Sequence, residues 1–203
     1  MVINMMNANE YFDMGLKFHG HKCPAMPLGM RAGAAAMNAL GVNRSVDKEL
    51  VCLVETGDDH AAGCFTDGLM VITGCTYGKS NIKKLYYGKM GFTLIDTARK
   101  KAVRVYLKPE FFGKMLNSPF VQQRKKGALP QDVPADVTDP LVRNVMGMKE
   151  EDFLVISPVF DYDYQKVKGN FETDLCSVCG ERVFTHKLQD IGGKTVCIPC
   201  SKK

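Results

Sequence analysis

The chain has 203 residues, 45% of them hydrophobic and 24% charged, the proportions of a soluble globular protein with one good-sized core and an appendage. Its apolar runs are far too short for a membrane span, and residues 1–11 lack the basic-then-apolar order of an export signal, so no membrane association is expected. The formal charge of +5 is spread along the chain, and four thiolates with one divalent ion would bring it to about +3, a balance that disfavours nucleic-acid binding.

Eight cysteines in a chain without an export signal point to a reducing cytoplasm, where thiols act as ligands or nucleophiles. In chain order, a helix is expected over residues 9–18 and another over 24–40, framed by Pro24 and Gly41. The small residues Ala25, Gly29, Ala32, Gly33 and Ala36 mark that second helix as closely packed. Residues 49–56 read as a central strand, apolar on both faces. Asp58 or Asp59 would cap a third helix running to Ile72 and ended by Gly74.

Strands are expected near residues 85–89, 92–96 and 102–107, then a helix over 109–117 with Phe111, Phe112 and Met115 turned to the core. Residues 127–136 read as a loop, a short helix starts at Pro140, and 153–156 is a last strand. Helices interleaved with hairpin-paired strands favour an α+β class with a mixed or antiparallel sheet. The expected organisation is a core domain over 1–165, a linker over 166–174 and a small module over 175–203.

That module carries Cys176-x2-Cys179-x17-Cys197-x2-Cys200, the spacing of a structural zinc site. Each pair makes a knuckle, and the stretch between them suffices for a short hairpin. Two disulfides would be the competing use of these sulfurs. The module would be a zinc ribbon or a treble clef with a stub of a helix, since only three residues follow Cys200.

A second constellation lies near the N-terminus. His19, His21 and Cys23 alternate, which in an extended segment places them on one face. Pro24 makes Cys23 the cap of the helix behind it, where unpaired N–H groups favour thiolate. His60, Cys64 and Asp67 are spaced i, i+4 and i+7, one stripe of a helix. If the two stripes face each other they build a cleft able to hold a transition metal or run thiolate chemistry. Cys52 reads as a small core residue and His60 as structural, while Cys75 fits either use. The loop Gly74-x3-Gly78-Lys79-Ser80 is one residue short of a phosphate-binding loop; Lys79 is expected at the cleft edge instead.

The segment Phe18-His19-Gly20-His21-Lys22-Cys23-Pro24 resembles the Phe-His-Gly-His-x-Cys-Pro motif of the FmdE family of formylmethanofuran dehydrogenase proteins. The resemblance continues at Cys64-x-x-Asp67-Gly68, at Thr73-Gly74-Cys75-Thr76-x-Gly78-Lys79-x-Asn81 and at Tyr87-Gly88-Lys89. Ala25 and Met70 depart from the family's usual glycine and glutamine. The resemblance implies an α+β core, often a homodimer, and in some members a C-terminal four-cysteine zinc domain. It also implies a link to molybdenum- or tungsten-dependent oxidation of formylmethanofuran in one-carbon metabolism, through a subunit that does not bear the pterin cofactor.

Two functional readings follow. In the first the chain is an accessory subunit or metal-handling partner of such an oxidoreductase complex, with a second transition metal or small ligand in the cleft of His19, His21, Cys23, Cys64, Asp67 and Lys79. In the second it is a metal-responsive regulator or adaptor whose zinc module binds protein or nucleic acid. An independent enzyme with Cys23 or Cys64 as nucleophile is the weaker third, because no complete phosphate loop or dinucleotide fingerprint is present.

Overall fold

The computed structural model describes residues 5–58, 63–166 and 168–202. The chain divides into two compact units, Met1–Tyr164 and Gln165–Lys203. In the first, a 3-10 turn at Ala8–Tyr11 leads into α1 (Phe12–His19), and then come α2 (Ala25–Leu40), β1 (Leu50–Val54), α3 (Cys64–Thr73), β2 (Ile82–Lys84), β3 (Gly91–Asp96) and β4 (Lys101–Leu107). The helices α4 (Pro109–Met115), α5 (Pro119–Lys125), α6 (Ala135–Gly147) and α7 (Glu150–Phe153) follow, then β5 (Leu154–Ile156) and β6 (Phe160–Asp161).

The sheet order is β2-β1-β3-β4-β5, with β6 also on β4. Only β1 and β2 run parallel among these pairs; the others are antiparallel, so the sheet is mixed and the class is α+β. β1 is apolar throughout because both of its faces are covered. Leu50, Cys52 and Val54 enter the main core beneath α2 and α3. Val51 and Leu53 point the other way and pack with Ile95, Ala102, Tyr162 and Tyr164.

The contact between α2 and α3 sets the geometry of everything at their N-termini. A Cβ on Gly29 would sit 2.0 Å from the Phe65 carbonyl oxygen, and one on Gly68 would sit 2.1 Å from that of Met26. Backbones this close leave no room for any side chain but hydrogen, which explains two glycines that would otherwise weaken their helices. The first of these is legible in the sequence as a close-packing position; Gly68 completes the pair. Elsewhere, Arg31 donates to the carbonyls of Val145, Met146 and Met148 at 2.8, 2.7 and 2.6 Å, satisfying the C-terminal end of α6 from the side of α2.

Several expectations are corrected. Residues 85–89 are no strand: Tyr86 and Gly88 have φ of 58° and 66°, and the chain curls so that Tyr87 and Lys89 both donate to the Glu55 carbonyl. The strand at this edge is the earlier β2. α6 begins at Ala135 and carries Pro140 inside it, so the expected loop over 127–136 is shorter and the helix longer. α5 is an addition to the expected elements; Ser118 caps it by accepting from the Val121 N–H, with Pro119 in the first turn. α3 starts at Cys64, so Asp58 is not its cap, while Asp59 and His60 lie outside the described residues.

In the second unit β7 (Thr173–Leu175) pairs with β8 (Arg182–Phe184) on either side of the first knuckle. β9 (Leu188–Ile191) and β10 (Lys194–Cys197) form a hairpin, and α8 (Ile198–Ser201) follows it. Gly192 and Gly193 make the hairpin's two-residue turn with φ of 60° and 76°, a conformation costly for other residues. Knuckle, hairpin and four-residue helix follow in the order of a treble clef.

Candidate functional site

His19 ends α1, and Gly20, with φ of 86°, turns the chain sharply after it. The helix cap, not an extended strand, brings His19 and His21 onto one side, their ring centroids 4.1 Å apart. Cys23 follows just before α2, and Cys64 opens α3. Because the glycine contact locks these two helices at one end, the atoms converge. His19, His21, Cys23 and Cys64 each offer one ligand atom, and all four lie within 4.8 Å of one another.

The spacing of those atoms fits a common ion. Nε2 of His19 is 3.1 Å from Nε2 of His21 and 3.5 Å from Sγ of Cys23. A tetrahedron with Zn–N near 2.0 Å and Zn–S near 2.3 Å has edges of roughly 3.3–3.8 Å, so the observed separations are those of donors sharing a centre. Two imidazole nitrogens face each other here, and a cation between them would be bound by both. Two thiolates and two imidazoles suit zinc or another borderline divalent ion.

Asp67 stands behind this set. Its Oδ2 is 2.8 Å from Nδ1 of His19, so the carboxylate holds the Nδ1–H tautomer and aims Nε2 at the other donors. Asp67 lies one turn after Cys64 on α3, which is why one helix supplies both a donor and the orienting group. The site is tuned for a positive charge: the hydrogen bond to Asp67, then that to Cys64, raises the His19 pKa to about 9. Burial, followed by the charges of His19 and Arg124, lowers that of His21.

The two thiols differ. A hydrogen bond from Cys64, aided by the N–H groups of Met26 and Ala25 at the start of α2, lowers the Cys23 pKa. Cys64, sharing its proton with Cys23 and partly buried, is pushed well up. Of the two, Cys23 is the thiol whose surroundings favour thiolate, as its place before a helix predicts. Pro24 is itself already helical in φ and ψ, so the cap expected at Cys23 lies one residue later.

Lys79 is placed elsewhere. Its ammonium donates to the carbonyls of Ser45 and Val46, at 3.0 and 3.2 Å, in the loop before β1. Those two acceptors hold it at that loop instead of at the cleft edge expected for it. Gly74 closes α3 with φ of 72°, as a helix cap and not as part of a phosphate loop. Cys52 and Cys75 are fully buried, and burial pushes the Cys75 thiol up to about 11, so both are core residues.

Sequence reasoning missed a cavity of about 480 Å³ that opens beside the donors. His21, Cys23 and Cys64 form part of its wall, and Leu28, Phe112, Met115 and Phe120 form much of the rest. Phe112 and Met115 read as plain core from the sequence. Their packing role is legible there, but the space they enclose depends on how α4 and α5 lie against the start of α2.

In the second unit the atoms of Cys176, Cys179, Cys197 and Cys200 also lie within 4.8 Å of one another, and all four cysteines are free thiols. Sγ of Cys179 is 3.9 Å from that of Cys197, close to the roughly 3.8 Å edge of a zinc–thiolate tetrahedron and far from a disulfide. Backbone N–H groups, that of Cys179 foremost, lower the Cys176 pKa to about 6, while a proton shared with Cys197 raises that of Cys200 to about 12. The small core of Cys176, Val196 and Cys197 is too slight to fold such a unit alone.

Fold and sites define an α+β protein with a candidate two-histidine, two-cysteine centre and a four-cysteine module. A family model described as FmdE, molybdenum formylmethanofuran dehydrogenase operon, matches residues 18–155, and the chain belongs to that family. The crystal structure of a tungsten formylmethanofuran dehydrogenase FmdE-like protein from Syntrophus aciditrophicus aligns with a TM-score of 0.60. The alignment covers 99% of this chain and 96% of that one at 19% identity, a likeness of fold. A protein of Archaeoglobus fulgidus described as a probable S-adenosyl-L-methionine-binding protein is 28% identical over 200 residues. The match takes in 91% of this chain, which spans about half the length of that relative.

Proposed function

We propose that the chain is a cytoplasmic metal-binding accessory protein with two ions of different purpose. Zinc on Cys176, Cys179, Cys197 and Cys200 folds the small unit. A second divalent transition ion on His19, His21, Cys23 and Cys64 serves the core, which works as a homodimer beside a molybdenum- or tungsten-dependent formylmethanofuran dehydrogenase. The observation that carries this reading is the convergence of four donor atoms with Asp67 orienting one of them.

Four protein ligands leave no open position of the kind a hydrolytic zinc needs for water, so the centre fits binding, sensing or transfer of an ion better than turnover. The family supports the link to the dehydrogenase. The Archaeoglobus relative's description makes S-adenosyl-L-methionine one ligand to assay on the core.

Saturation with zinc, dialysis and elemental analysis provide the test. The expected content is two ions per chain, falling to one in a variant with His19→Ala and Cys64→Ser. A content of one in the unaltered chain would remove the core ion from the proposal. Co-purification with a molybdenum or tungsten oxidoreductase checks the accessory role, and its failure from an expressing host would remove that part.

A further inference from the structure

We infer that the cavity beside the donors binds a small organic anion with an apolar body, its charged end between Arg124 and His21. This deepens the reading of the core as a metal site, but it stands on separate observations. The volume of about 480 Å³ lies in the range of small-molecule sites, roughly 300–1,000 Å³. The body of the cavity is apolar: Leu28, Leu107, Phe112, Met115 and Phe120 line it. Such walls select a hydrocarbon or aromatic body and offer nothing to a sugar or a polyol.

The charge is at one end. Arg124 is the one permanently charged residue in the lining among the described residues, and no carboxylate lies in that wall. It is half-buried on α5, and none of the ion pairs among the described residues involves it. One of its N–H groups donates to the Ala128 carbonyl, which fixes the side chain and leaves further donors of the planar fork. Its charge is felt at His21, so cation and donor cluster share an end of the cavity. Arg124 supplies the permanent positive charge in that part of the wall. A carboxylate there gains charge-assisted hydrogen bonds in a partly desolvated place, and its apolar body fills the remainder.

Calorimetry on the full chain tests this with octanoate, and with octanamide as its neutral counterpart. One octanoate per chain is expected, with octanamide about tenfold weaker or more. Arg124→Gln should erase the preference, and Arg124→Lys should keep part of it. Met115→Trp should weaken both ligands by filling the space. Equal binding of the two ligands, no saturable binding of either, or an unchanged preference in Arg124→Gln would overturn the inference.

The titration is repeated on the variant with His19→Ala and Cys64→Ser, with only the tail loaded. Arg124-dependent octanoate binding there, alongside an unaltered chain that never takes a second ion, supports the anion site and removes the metal one. A second ion without any carboxylate binding does the reverse.

Discussion

Asp67 Oδ2 sits 2.8 Å from His19 Nδ1, and the opposite ring nitrogen of His19 faces the other histidine and a thiol. The carboxylate thus decides which nitrogen is free to bind an ion. Asp67→Asn keeps the size of the side chain but loses the charge and the fixed tautomer. Metal affinity at the core should fall about 10–100-fold, with the tail ion retained. Competition with a graded chelator measures it; an unchanged affinity would show that His19 is oriented by packing alone.

The same contact predicts a pH dependence. In metal-free protein, Asp67 holds the His19 pKa at about 9, above its ordinary 6.5. A raised folded value contributes stability that is fully present below about pH 6.5 and is lost as pH rises through about 9. The stability difference between the unaltered chain and Asp67→Asn, both stripped of metal, should therefore be greatest below pH 6.5 and shrink through pH 9. The lowered Cys23 thiol acts in the opposite direction in both proteins and largely cancels in that difference. Denaturant melts across pH check this, and a difference that grows with pH would contradict it.

Gly68→Ala places a methyl where the Met26 carbonyl lies 2.1 Å away. The helices must separate, at a cost of about 3 kcal/mol or more, and Cys23 moves away from Cys64. Both the thermal transition and core metal affinity should drop. Gly113 on α4 meets nothing within 4 Å, so Gly113→Ala should instead stabilise by about 0.5–1 kcal/mol. Equal effects from the two would mean that the close contact is relieved at little cost.

Cys176 is buried, and its sulfur accepts the Cys197 N–H at 3.3 Å. Cys176→Ser should abolish the tail ion, whose ligation contributes about 10–16 kcal/mol in comparable small modules. Backbone amides of residues 173–201 should then lose hydrogen-exchange protection, while those of β1 and β3 keep theirs. Protection retained in β9 and β10 would show that the hairpin folds without metal.

Much of the site is legible in the sequence because its chemistry is written locally. The alternation of His19, His21 and Cys23, and the helical spacing of Cys64 and Asp67, are short-range patterns, as are the paired cysteine knuckles. The reason the first three meet is less so: alternation suggests an extended segment, whereas a left-handed Gly20 after a helix brings them together. The left-handed conformation of Tyr86 is not legible at all, since nothing in its side chain asks for φ of 58°. Lys79 follows the motif in sequence but binds the carbonyls of Ser45 and Val46, a choice made by tertiary neighbours. The cavity is invisible for the same reason, because Leu28, Phe112 and Phe120 carry no pattern that separates a wall from a core.

The central claim is that His19, His21, Cys23 and Cys64 hold an ion. Anomalous difference density from crystals of the zinc-saturated protein, collected on both sides of the zinc edge, tests this most directly. Two peaks per chain are predicted, one among the four tail sulfurs and one bounded by Nε2 of His19 and His21 and Sγ of Cys23 and Cys64. A single peak in the tail, with the core donors hydrogen-bonded to one another or to water, would contradict it.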